Sequence, residues 1–174
     1  MTTIGVAVAV PEPWGPQLQD YRASLGDETA QGIPTHITLM PPFDVDPDAL
    51  PVIEEHLAGA AARKSSFKIH LRGTGTFRPV SPVVFVVVVE GISQCEQLAF
   101  SVRSGPLAID LQFPYHPHVT IAHDLDEHLL DQAFKELSSF ECEFEADHFS
   151  LYVHDQKVGW QPTRHFELTP REER

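Results

Sequence analysis

The pattern His-x-Thr occurs twice, as His36-Ile37-Thr38-Leu39 and His118-Val119-Thr120-Ile121, and the two histidines are 82 residues apart. Each copy lies in a run that reads as a β-strand. A strand sends alternate side chains to opposite faces, so His36 and Thr38 share one face while Ile37 and Leu39 take the other. His118 and Thr120 stand in the same relation to Val119 and Ile121. Each strand thus offers an imidazole beside a hydroxyl, backed by an apolar face that anchors it to a core. In-line displacement at phosphorus needs one group to deprotonate the nucleophile and another to protonate the leaving oxygen from the opposite side. Histidine, with an ordinary pKa of ~6.5, serves either role near neutral pH. Thr38 and Thr120 would donate hydrogen bonds to the non-bridging oxygens. A single His-x-Thr is more often packing than chemistry. Two copies in comparable contexts point to a shared phosphate site across a cleft.

The elements that must position these residues repeat as a plan. Ile4 to Val10 reads as a central strand, and Trp14, Leu18, Tyr21 and Leu25 recur at helical spacing up to a stop at Gly26. The first motif strand follows, with Pro41-Pro42 expected to end it. Pro47 to Arg63 reads as a helix with Leu50, Ile53, Leu57 and Ala61 as its stripe, and Phe67 to Leu71 as a half-exposed strand. A turn-rich stretch from Gly73 to Pro82 leads to the valine-rich strand. In the second half, Ser93-Gln94-Cys95-Glu96 matches a capping box opening a helix. Tyr115 to Ala122 is the second motif strand, and Asp126 caps a helix bearing Leu130, Phe134 and Leu137. Glu143 to Val153 reads as one strand and His165 to Leu168 as another. The order strand, helix, motif strand, helix, strand therefore occurs twice. This predicts one domain, residues 1–174, of two lobes around a shared cleft, with a solvated tail from about residue 170 to 174.

Composition narrows the function classes. Twenty-five acidic residues face 12 basic ones, for a formal charge of −13, and the basic residues form no stripe. Extended duplex nucleic acid, held through Lys and Arg along its phosphates, is therefore not the expected partner. A small phosphorylated molecule or an RNA terminus is. The longest apolar run, Val83 to Val89, is far short of the roughly 20 residues a membrane helix requires. The start Met1-Thr2-Thr3-Ile4 lacks the basic residues of a signal peptide. We expect no membrane partner, a cytoplasmic location, and reduced thiols at Cys95 and Cys142.

The segments Pro34-Thr35-His36-Ile37-Thr38-Leu39 and His116-Pro117-His118-Val119-Thr120-Ile121 resemble the paired signature of the 2H phosphoesterase superfamily, in particular its bacterial 2′-5′ RNA ligase or cyclic-phosphodiesterase branch. The likeness extends over nearly the whole chain. It implies an α+β, bilobal, pseudo-two-fold fold with mostly antiparallel sheets and outer helices around a central cleft. It further implies a hydrolase that opens 2′,3′-cyclic phosphates without metal or other cofactor, leaving a 2′-phosphate. Carried over by position, His36 and His118 become the acid–base pair, and Thr38 and Thr120 the phosphate holders. Many ligase-named relatives carry basic residues just after the second motif, where this chain has Ala122-His123-Asp124. A small cyclic nucleotide or an RNA 2′,3′-cyclic phosphate end is thus expected ahead of RNA ligation or a tRNA-sized substrate.

Four further residues are candidates for touching substrate: Tyr115, His116, Phe43 and Arg78. The first and third could stack on a base, and Arg78 could reach a phosphate. Rival readings are a binding module that captures a phosphorylated ligand without turnover, and a metal-dependent hydrolase built on His116, His118 and His36.

Overall fold

On the first strand, β1 (Thr2–Ala9), the large apolar residues Ile4, Val6 and Val8 are buried on one face. Small ones, Gly5, Ala7 and Ala9, alternate with them. A computed structural model describes residues 1–171 of the chain. It continues with α1 (Trp14–Ser24), β2 (His36–Val45), α2 (Leu50–Ala62) and β3 (Phe67–Thr76). The second half runs β4 (Val83–Glu90), α3 (Ile92–Val102), β5 (His118–His123), α4 (Glu127–Glu136), β6 (Glu141–Ala146), β7 (His148–Asp155) and β8 (Gly159–Glu167). Two four-stranded sheets result, in the orders β2-β1-β7-β8 and β5-β4-β3-β6, and every pairing is antiparallel. The fold is α+β and duplicated, as expected.

Each motif strand lies at one edge of its sheet, hydrogen-bonded to the first strand of its own repeat: β2 to β1, β5 to β4. The repeats also exchange strands. β3, from the first, joins the second sheet, and β7 returns to the first. Helix α1 packs beside β5 and α3 beside β2, so each motif strand touches a helix of the other repeat. The approach of α1 depends on Gly15, because a Cβ there would lie 2.2 Å from the Val10 carbonyl oxygen. Ile53 and Leu57 of α2, with Leu98 and Val102 of α3, are almost wholly buried, each side chain contributing about 1.5–3 kcal/mol to folding.

Several expectations need correction. Pro41-Pro42 does not end the first motif strand, which runs on to Val45. β2 is an edge strand, and its register against β1 shifts between the pairs Val6–Met40 and Ile4–Phe43. The prolines sit in that irregular stretch, where ladder donors are not required. β3 likewise continues to Thr76 through part of the turn-rich stretch, its register shifting around Gly73, whose φ is +71°. The capping box does not form: α3 starts at Ile92 on Gly91, a residue with φ +98° and no side-chain cap. The second motif strand starts at His118, so Tyr115 to Pro117 form its approach. The span Glu143 to Val153 is two strands in different sheets. Burial alternates before Asp147, on Cys142 and Ala146, but is continuous from Phe149 to Tyr152 after it, so a half-exposed edge strand gives way to one enclosed on both faces. β8 begins at Gly159, well before His165. The tail is anchored further than expected: the Arg171 N–H donates to Ser66 Oγ and its side chain pairs with Glu145 at 3.1 Å. Residues 172–174 lie outside the described residues. Cys95 and Cys142 are buried free thiols, and no helix among the described residues is long and apolar enough to cross a membrane.

Candidate active site

The buried faces of the motif strands, Ile37 and Leu39 in β2 with Val119 and Ile121 in β5, are fully enclosed. They fix the opposite faces, so His36 and Thr38 project together from one strand and His118 and Thr120 from the other. His36 Nδ1 donates to the Pro34 carbonyl at 2.6 Å, and His118 Nδ1 to the His116 carbonyl at 2.7 Å. Each partner is two residues before its histidine. A carbonyl oxygen only accepts, so Nδ1 carries the proton in both rings, and the neutral imidazole keeps a lone pair at Nε2.

Burial holds the pKa of both imidazoles below the ordinary value, because a low-dielectric setting disfavours the charged form. The carbonyl bonds oppose that effect. Arg22 adds to the depression of His36, while His116 and His36 add to that of His118. His36 is thus close enough to His118 for its charge to bear on that ring. β2 and β5 are in direct contact, and the Tyr115 hydroxyl donates to the Thr38 carbonyl at 2.8 Å. That bond ties the approach to β5 directly to β2. Burial raises the Tyr115 phenol well above its ordinary pKa, so it remains a donor, and Arg103 lies over its ring at 5.5 Å.

The remaining sequence candidates go to different places. His116 is exposed at the rim, its ring 5.9 Å from that of His118. Phe43 is partly exposed at the far end of β2. Arg78 pairs with Asp131 of α4 at 2.8 Å and donates to Thr76 Oγ1, so its charge is engaged by α4. Among the described residues, no three His, Cys, Asp or Glu are grouped to hold a metal ion. The His116, His118 and His36 set thus has no support as a metal centre.

Sequence reasoning missed three features. Arg22, buried and paired with Asp27 at 2.6 Å, bears on His36; an arginine in register with Leu18 on a helix stripe was its signal. Phe77 and Phe85 pack against the His118 ring at 4.9 and 5.2 Å. Trp160 belongs to a pocket of about 120 Å³ beside His36 and Thr38. It was hidden because most residues of β8 are polar and exposed.

Residues 10–158 match the model of a family described as the 2′-5′ RNA ligase superfamily. A protein of Oceanobacillus iheyensis named "Putative phosphoesterase" is 29% identical over 138 residues, covering 78% of this chain and 81% of that one. A protein of the same name from Bacillus cytotoxicus is 28% identical over 138 residues, covering 78% of this chain and 80% of the other. Among solved structures, apo LigT of E. coli superposes with a TM-score of 0.73 at 22% identity, covering 97% of this chain and 98% of that one. A Thermus thermophilus protein, TT0787, gives 0.68 at 20% identity, covering 99% and 100%.

Proposed function

The chain belongs to the 2′-5′ RNA ligase superfamily of 2H phosphoesterases, and from that premise we propose that it is a 2′,3′-cyclic phosphodiesterase acting on nucleotides or short RNA ends. The observation that carries this reading is the matched setting of the two motif imidazoles, each with Nδ1 tied to a carbonyl two residues back. Both are left with Nε2 for chemistry. One neutral ring takes a proton from water as its oxygen bonds to phosphorus. The other, as imidazolium, gives a proton to the departing 3′ oxygen as the P–O3′ bond breaks. The product is a 2′-phosphate. Thr38 and Thr120 hold the non-bridging oxygens. His116 belongs to the rim of this reading, and Tyr115 acts by holding the strands.

Two observations favour a small substrate. LigT of E. coli has been solved with 3′-AMP and with phosphate, ligands of the proposed class. The formal charge of −13 opposes a long polyanion, which favours cyclic ends over RNA ligation.

The test is incubation with nucleoside 2′,3′-cyclic phosphates in excess EDTA, with the products separated by chromatography. Conversion to the 2′-monophosphate is expected. Binding without product over hours would make the protein a capture module, and activity that vanishes in EDTA and returns with zinc would make it a metal hydrolase.

A further inference from the structure

The two repeats place equivalent residues opposite their motifs, and the differences between them are informative. In the first sheet Ala9 pairs with His36 and Ala7 with Thr38. In the second Val87 pairs with His118 and Phe85 with Thr120. Paired residues project from the same face, so Ala7 and Phe85 are counterparts beside the two threonines. Phe85 fills its side: its ring lies 4.5 Å from Phe77, 5.2 Å from His118 and 5.4 Å from His116. Ala7 leaves its side open, and further along β1 the Trp160 ring lies over Gly5, where a Cβ would stand 3.6 Å from it. The resulting pocket, about 120 Å³, is bounded by Met40, Pro42, Tyr152 and Trp160 and shares His36 and Thr38 with the motif. No Asp, Glu, Lys or Arg lines it.

We propose that this pocket is a subsite for the flat aromatic ring of the substrate alcohol, a nucleobase stacked on Trp160 and held without reading its identity. The proposal rests on the functional reading above, because it takes the phosphate to lie between His36 and His118. The ring then extends over the first sheet, since Phe85 and Phe77 occupy the equivalent space over the second. Beyond His36 and Thr38, which face the phosphate, the Tyr152 hydroxyl is the one hydroxyl on the lining, and it bonds Ser150. Side chains therefore offer the base little but apolar surface, and sequence-tolerant stacking follows.

Binding, measured by calorimetry, separates this proposal from the catalytic one. The ligands are the 2′-monophosphates of adenosine, guanosine, cytidine and uridine, with methyl phosphate as the ring-free comparison. The wild-type protein is expected to bind the nucleotides about tenfold or more tightly than methyl phosphate, with the four bases within about tenfold of one another, as stacking implies. Trp160→Ala should reduce the advantage to about twofold, and Trp160→Phe should restore most of it. Ala7→Phe, which installs the plug found in the other repeat, should abolish it from a different strand. Equal affinity for methyl phosphate and nucleotide in the wild type would overturn the subsite, as would an advantage that survives both Trp160→Ala and Ala7→Phe. A hundredfold preference for one base would overturn the unread stacking mode. Absence of turnover with the advantage intact would overturn the phosphodiesterase reading alone.

Discussion

A histidine whose Nδ1 proton is held by a backbone carbonyl has one nitrogen left for chemistry, and both motif histidines are in that state. Removing either ring is therefore expected to lower kcat by about 10²–10⁴, the value of a placed acid or base. Steady-state kinetics of His36→Ala and His118→Ala measure this, and near-full turnover in both would refute the two-histidine mechanism. Thr38→Val or Thr120→Val, losing one donor, should cost on the order of 10². The pH dependence follows from the lowered pKa of both rings. As pH falls through the lower value of the pair the base is protonated, and as it rises through the upper value the acid is lost. Both values are depressed, so the kcat/KM profile, which reports the free enzyme, is expected to be a bell centred below pH ~6.5. Activity still climbing above pH ~7.5 would contradict it. These residues were legible because their pattern is local and doubled. Arg22 showed only as an arginine on the α1 stripe and Trp160 not at all, since their bearing on the site arises only when α1 and β8 meet His36 in space.

At the scale of elements, the site depends on two edge strands held in one relative position. The hydroxyl of Tyr115, reaching the Thr38 carbonyl, ties the approach to β5 to the other strand, β2. Tyr115→Phe removes it and leaves the ring, and is expected to cost about 0.5–1.5 kcal/mol of stability. Thermal unfolding measures that loss. A positioning role further requires kcat to fall more than affinity for a nucleoside 2′-monophosphate, and an unaltered kcat would leave Tyr115 a purely structural strut. The periodicity of the sequence found the helices and most strands, because burial alternates where a regular element packs. It failed where an element continues through a break. The prolines of β2 and Gly73 of β3 read as terminators, yet an edge position and register shifts accommodate them. It also failed at Asp147, where a stretch of mixed alternation read as one strand divides between two sheets.

For the whole molecule, the strand exchange of β3 and β7 and the contacts of α1 and α3 with the opposite motif strands interlock the repeats. The duplicated order of elements predicted two lobes; the exchange could not be read, because it is a matter of long-range pairing. The proposed substrate is short, as a net charge of −13 argues against a long polyanion. Extending an RNA upstream of its cyclic end from one to ten nucleotides is expected to change kcat/KM by less than about tenfold at about 150 mM salt, since few additional phosphates find cations. The central claim is that two imidazole–hydroxyl pairs meet on one phosphorus. The most direct measurement is a titration of protein labelled with ¹⁵N-histidine with adenosine 2′-monophosphate, following the imidazole nitrogens by NMR. The expected result is that the Nε2 signals of His36 and His118 shift together, with the same Kd and at one equivalent of ligand. A shift confined to one of them, or two shifts saturating at different ligand concentrations, would contradict it.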